Sequence, residues 1–210
     1  MKDTVIKICG ITNLETAQFC IDQNANYLGF VFYEHSSRDV TNENISETLE
    51  KIKNRIDLVA VTKDPSKSII EKISNLPFNF IQVHGSILPD KLAEIKNATG
   101  MKIIKAFNIL SSADLNDVND YQDIADFYLF DSKSSGSGEV FDWGILGDKQ
   151  IKKDFFLSGG LNPYNISKAI EKTGTKYVDV SSGVEQREGI KDKKLIEQFI
   201  LNARTSYDGY

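Results

Sequence analysis

Eight short runs of β-branched and aromatic residues recur along the chain with helically spaced segments between them, and this alternation constrains the fold more than any other feature. The runs are Val5–Cys9, Tyr27–Phe32, Leu58–Val61, Phe78–Val83, Met101–Phe107, Phe127–Phe130, Phe155–Leu157 and Lys176–Val180. The intervening apolar positions are Leu14/Ala17/Ile21, Ile45/Leu49/Ile52, Ile69/Ile70/Ile73, Leu92/Ile95, Leu115/Val118, Ile166/Ala169/Ile170 and finally Leu195/Ile196/Phe199/Ile200. The segment between the sixth and seventh strands holds Gly144 and Gly147, each costing about 1 kcal/mol in a helix interior, so its helix is predicted to be short. Thr12 with Glu15 reads as a capping box, Asp64-Pro65 and Asn162-Pro163 read as helix starts, and Gly174 reads as a helix stop.

An alternating chain can form an open doubly wound sheet or close into an eight-stranded barrel. Eight units in 210 residues favour the compact α/β solution, a single (β/α)8 TIM barrel. No linker or low-complexity tract divides the chain. One barrel domain is expected over residues 1–204, with 205–210 as a short C-terminal tail.

With 26% charged residues and a net charge of −5, the sequence lacks the electrostatic footprint of a nucleic-acid or anionic-membrane binder. Its first apolar run is interrupted by Lys7 and is too short for a signal-peptide core or a membrane span, so a cytoplasmic location is expected. Cys9 and Cys20 are read as reduced thiols, because two cysteines without a secretion signal make neither a disulfide framework nor a structural zinc site. Cys20 shares the apolar face of the first helical segment with Ala17 and Ile21 and is assigned to the core.

In a closed barrel, chemistry gathers at the C-terminal ends of the strands. Cys9 ends the first run, Arg38 follows the second, His84 the fourth and Asp131 the sixth. Gly159-Gly160 follow the seventh, and Ser181-Ser182-Gly183 the eighth. Glycine loops after strands seven and eight offer backbone N–H groups to an anion, which points to a phosphorylated substrate; tight turns alone are the plainer reading. Cys9 is either a reactive thiol or a small buried strand residue. Asp131 is either a turn residue or an acid beside apolar walls, followed by a Ser/Gly-rich loop able to close over a ligand. His84 is a candidate mouth-lining residue or a structural histidine, with no partner at metal-ligand spacing.

Strand periodicity adds one deeper expectation. Lys7 shares a face with Cys9 and Asp179 with Ser181, and strands one and eight become neighbours on closure, so Lys7 and Asp179 should pair inside the barrel. The same ammonium is expected to lower the pKa of the Cys9 thiol. Asp179 is thereby also a candidate mouth-lining residue.

Lys7-Ile8-Cys9-Gly10-Ile11-Thr12, Gly29-Phe30-Val31-Phe32-Tyr33 with Ser37-Arg38, Gln82-Val83-His84-Gly85, Asp131 with Gly136-Ser137-Gly138, Ser158-Gly159-Gly160-Leu161-Asn162-Pro163 and Asp179-Val180-Ser181-Ser182-Gly183-Val184-Glu185 together resemble the phosphoribosylanthranilate isomerases of tryptophan biosynthesis. The resemblance extends to about Phe199. It implies an Amadori rearrangement of N-(5'-phosphoribosyl)anthranilate to 1-(2-carboxyphenylamino)-1-deoxyribulose 5-phosphate, without metal or coenzyme. It further implies Asp131 as general acid, Cys9 as general base, Arg38 on the anthranilate carboxylate, and Gly159, Gly160, Ser181, Ser182 and Gly183 around the phosphate. The expected partner is this small phosphosugar-anthranilate, with no obligate protein partner evident. Asp39, next to Arg38, is the expected competitor for its guanidinium.

Overall fold

A computed structural model describes residues 4–131, 142–147 and 151–206. The strands β1 (Val5–Cys9), β2 (Tyr27–Phe32), β3 (Asp57–Lys63), β4 (Phe80–His84), β5 (Lys102–Asn108), β6 (Phe127–Asp131), β7 (Phe155–Leu157) and β8 (Tyr177–Val180) form a closed parallel barrel in chain order. Closure pairs β1 with β8 in a register that sets Lys7 opposite Asp179. The helices α1 (Leu14–Asp22), α2 (Ser46–Ile52), α3 (Lys67–Ser74), α4 (Pro89–Thr99), α5 (Gly144–Gly147), α6 (Ile166–Thr173) and α7 (Lys193–Thr205) follow their strands. No helix among the described residues is long and apolar enough to cross a membrane.

Strand alternation divides the apolar residues into two cores. Ile6, Ile8, Leu28, Phe30, Leu58 and Ala60 face outward under the helices, whereas Val59, Val61, Ile104, Ala106 and Leu129 fill the barrel. Tyr27, Phe80, Phe127 and Tyr177 are the first residues of the even strands, and with Phe156 they interlock edge-on or tilted at 5.3–6.1 Å between ring centroids. This is the layer logic of a closed barrel: side chains from alternate strands share one level. The aromatic layer fills the N-terminal end of the barrel interior and leaves the C-terminal end open to a ligand. Cys20, fully buried among the outer residues, is core as expected, and burial pushes its thiol up to about 12.

Several local expectations are corrected. Thr12 does not cap α1; the Asn13 side chain accepts from Thr16 N–H at 2.9 Å, which places Glu15 in the first turn, where it pairs with Lys193. The chain turns at Asp64, whose φ is +41°, so Pro65 lies before the helix and Ser66 is the cap of α3. Asn162 braces a turn by accepting from Tyr164 N–H, and α6 begins at Ile166. Gly174 does stop α6, in the left-handed conformation. Leu115 and Val118 are buried from two 3-10 helices, Ser112–Leu115 and Asp117–Tyr121, rather than from an α-helix. A spacing of three fits the 3-10 period as well as the α period, and the Ser111–Asp114 capping box favours the tighter turn. α5 is short, as its glycines require.

One element has no counterpart in the sequence reading. After β8 and a one-turn 3-10 helix at Ser182–Val184, the chain forms an antiparallel hairpin, β9 (Glu185–Arg187) and β10 (Ile190–Lys191), before α7.

Candidate active site

A cavity of about 400 Å³ opens at the C-terminal end of the barrel, within the size range of small-molecule sites. Cys9, Arg38, His84, Asp131, Gly159, Gly160, Asp179, Ser181 and Ser182 all line it, so residues distant in sequence converge on one space. Gly183 does not line it. A Cβ there would fall 1.9 Å from the Leu161 carbonyl oxygen, so Gly183 serves the close approach of the eighth loop to the seventh. The Ser/Gly-rich segment with Gly136-Ser137-Gly138 lies outside the described residues.

Cys9 and Asp131 end β1 and β6, with β8 and β7 between them in the ring, and both are buried at the cavity floor. Beneath Cys9, Lys7 Nζ donates to Asp179 Oδ1 at 2.8 Å, and Ser158 Oγ donates to Asp179 Oδ2 at 3.2 Å. The expected ion pair is therefore present, and Asp179 also reaches the cavity. Burial works against the Lys7 ammonium, but the Asp179 carboxylate and the neighbouring sulfur hold its pKa above the usual lysine value.

The expected depression of the Cys9 pKa is overturned. Burial pushes the thiol up, Asp179 adds to the rise, and the Lys7 and Lys191 ammonium groups offset only part of it. Lys7 still contributes in the expected direction; desolvation is simply larger, because a thiolate this deep has lost its water. Gly29, opposite Cys9 on β2, provides the space for this arrangement. A Cβ on it would lie 2.9 Å from Cys9 Sγ and 3.1 Å from Lys7 Nζ.

Arg38 is held by Glu185 rather than by Asp39. Its Nε and Nη2 donate to Glu185 Oε1 and Oε2, both at 2.7 Å, while Asp39 Oδ1 accepts from Tyr33 N–H and from Thr41. The stem of Arg38 crosses Gly10, where a Cβ would sit 2.5 Å from Arg38 Cδ. The Glu185 contact holds the guanidinium above its already high pKa.

The seventh loop turns through two consecutive left-handed glycines, Gly159 at φ +82° and Gly160 at +67°. Their N–H groups make no hydrogen bond among the described residues, whereas the Gly160 carbonyl accepts from Asn162 and Asn165 side chains. In the eighth loop, Ser181 Oγ donates to the Cys9 carbonyl at 3.1 Å and ties the candidate phosphate loop to β1.

His84 sits at the cavity wall with Nε2 hydrogen-bonded at 2.7 Å to the Gln82 side-chain amide. Burial first, then the Lys7, Lys105 and Lys63 ammonium groups, push His84 down to about 3. Gln82 Oε1 is buried at the cavity without a partner among the described residues. Sequence reasoning passed over Gln82, Glu185 and Lys191. A glutamine inside a strand run and charges beyond the eighth run carry no periodic signal; Gln82 and Glu185 stand within the Gln82–Gly85 and Asp179–Glu185 motifs, which give them no role.

The family profile described as N-(5'phosphoribosyl)anthranilate (PRA) isomerase matches residues 6–202. An N-(5'-phosphoribosyl)anthranilate isomerase of Caulobacter vibrioides is 38% identical, with 96% of each chain covered. The crystal structure of phosphoribosyl anthranilate isomerase from Thermotoga maritima superposes with a TM-score of 0.87 at 34% identity, covering 95% of this chain and 98% of the other. A further solved isomerase, in complex with reduced 1-(o-carboxyphenylamino)-1-deoxyribulose 5-phosphate, gives a TM-score of 0.81 at 32% identity, covering 95% and 98%.

Proposed function

Because the chain belongs to the N-(5'-phosphoribosyl)anthranilate isomerase family of tryptophan biosynthesis, we propose that its barrel mouth converts N-(5'-phosphoribosyl)anthranilate into 1-(2-carboxyphenylamino)-1-deoxyribulose 5-phosphate by general acid and base catalysis. The observation that carries this reading is the convergence of Cys9, Asp131 and Arg38 with both glycine loops on one cavity.

Asp131 protonates the furanose ring oxygen, so that the C1–O bond breaks and the anthranilate nitrogen forms a Schiff base with C1. Cys9 then removes the proton from C2, giving an enolamine that tautomerises to the ketose. The two groups come from different sides of the ring of strands, which suits proton transfers at different atoms of one substrate. Since burial holds the Cys9 thiol protonated, the thiolate is a minor form at neutral pH. Lys7 is the cation that stabilises it when it forms.

Arg38 receives the anthranilate carboxylate, for which a planar guanidinium is the suited partner. The N–H groups of Gly159 and Gly160, with Ser181 and Ser182 of the adjoining eighth loop, receive the phosphate. The assigned partner is thus a small phosphorylated anthranilate glycoside, and each step uses side chains of this chain alone. The deciding experiment is the decay of phosphoribosylanthranilate fluorescence on addition of purified protein. A folded sample that produces no decay rejects the activity.

A further inference from the structure

A bidentate arginine–glutamate pair is neutral and half of its donor edge is occupied, so it is a poor receptor for another carboxylate unless something restores charge and fixes the free edge. Arg38 and Glu185 form such a pair, with side chains only 12% and 4% exposed. Glu185 is not balanced by Arg38 alone. Its Oε1 also accepts from Lys191 Nζ at 2.8 Å, and its Oε2 accepts from Gly189 N–H at 3.2 Å. The Lys191 side chain is 3% exposed and donates as well to the Ser181 carbonyl at 3.0 Å and to Ser181 Oγ at 3.3 Å. Glu185 and Lys191 both belong to the β9–β10 hairpin, which is not part of the eightfold barrel.

Two consequences follow. The buried trio of two cations and one anion keeps a net positive charge beside the cavity, where low dielectric strengthens its pull on an anion. Glu188, exposed at the rim, also acts on Arg38, but there solvent screens it. The hairpin also bridges the second loop to the eighth. Gly189, at φ +78°, packs so tightly on Ser37 that a Cβ would lie 2.7 Å from its carbonyl oxygen, while Lys191 grips Ser181.

We propose that Glu185 and Lys191 are positioning residues for substrate recognition: Glu185 clamps Nε and Nη2 of Arg38 so that its remaining donors meet the aromatic carboxylate in a fixed orientation, and Lys191 keeps the cluster cationic while locking it to the phosphate loop. The proposal rests on the assignment of the anthranilate carboxylate to Arg38. It adds that recognition at that end is set from behind by a hairpin that touches no reacting atom. Glu185→Gln removes the charge but retains the shape, Lys191→Met removes the cation, and Lys191→Arg restores it.

The test is calorimetric binding of two ligands to the wild type and each variant: the reduced carboxyphenylamino-deoxyribulose phosphate, and the same compound without its carboxylate. Wild type is expected to prefer the carboxylated ligand by tenfold or more. Glu185→Gln should lose most of that preference while binding the other ligand within about threefold of wild type; Lys191→Met, which also releases Ser181 of the phosphate loop, should weaken both ligands but the carboxylated one by about tenfold more, and Lys191→Arg should recover the preference. In turnover, KM should rise about tenfold with a much smaller change in kcat. Undiminished preference in folded Glu185→Gln and Lys191→Met overturns the proposal and leaves the Arg38 assignment standing. Equal losses for both ligands also overturn it, by revealing a structural role only. Absence of any preference in the wild type overturns the Arg38 assignment and the proposal with it. Should one variant fail to give a cooperative thermal melt, the other decides.

Discussion

Lys7 Nζ on β1 and Asp179 Oδ1 on β8 lie 2.8 Å apart at the seam where the barrel closes, with side chains 0% and 5% exposed. The pair spans nearly the whole chain in sequence, and it lies directly under the thiol assigned as the base. A charge here is tolerable only because its partner is present, so the pair links barrel closure to the chemistry above it.

Breaking that pair should be expensive. Lys7→Met or Asp179→Leu leaves one buried charge unmatched and is expected to cost about 3–5 kcal/mol, whereas the double variant should recover much of the loss. Urea unfolding of the three proteins checks this. Because the Lys7 pKa is raised in the fold, its contribution is complete below the unfolded value near 10.4 and fades only as pH climbs through the higher folded value. The coupling should therefore be constant from pH 7 to 9.

Cys9→Ser and Asp131→Asn are each expected to lower kcat by about 10²–10⁴-fold, with smaller changes in ligand affinity, as the loss of a proton-transferring group requires. Rates and analogue binding measured on the same preparations separate the two effects. Wild-type turnover in the Cys9 variant would return that residue to the core.

Gly29→Ala places a methyl group between Cys9 and Lys7. Overpacking of this kind costs about 1–3 kcal/mol, and here it must displace the thiol or the ammonium. The melting temperature should fall moderately and kcat by more than KM changes. The backbone at Gly29 has no left-handed φ, so the effect would be steric alone.

Acid should weaken the fold through His84 before it reaches the carboxylates. Its folded pKa of about 3 lies below the unfolded value near 6.5, so the unfolded chain binds the extra proton first. Stability from the neutral, partly buried ring is complete above about pH 6.5 and is lost progressively as pH falls towards 3. Thermal melts between pH 7 and 4.5 should show this slope, and His84→Asn should flatten it. Glu185, whose pKa is lowered against burial by Arg38 and Lys191, adds its own loss only below the usual glutamate range.

Inorganic phosphate should compete with substrate at the paired glycine loops, and removal of the substrate phosphate should weaken binding strongly. Gly160→Ala should do the same, because φ of +67° is strained for any side chain. Equal affinity for phosphorylated and dephosphorylated ligands, read by competition, would remove the phosphate assignment.

The barrel was legible in the sequence because strand and helix periods are local properties. Val5–Cys9, Tyr27–Phe32 and Phe155–Leu157 end where their apolar runs end. Cap identity was less legible: Thr12 and Asn13 offer the same chemistry one residue apart, and the position of Glu15 beside Lys193 on α7 favours Asn13. Leu115/Val118 fitted both helix types, and the short polar residues around them resolved the choice towards 3-10 turns.

For the site, the sequence by itself determined which chemical groups stand at the strand ends, and alternation determined that Lys7 and Asp179 meet once β1 and β8 pair. Tertiary structure alone decided how those groups are tuned. Whether Cys9 is driven up or down depends on desolvation against charge, and the depth of burial that makes desolvation win is a property of the packed barrel. It also decided the partner of Arg38. Asp39 is its neighbour in the chain, yet the β9–β10 hairpin brings Glu185 and Lys191 to the guanidinium from the far end of the sequence, and no local pattern encodes the meeting of three charges across a closed barrel.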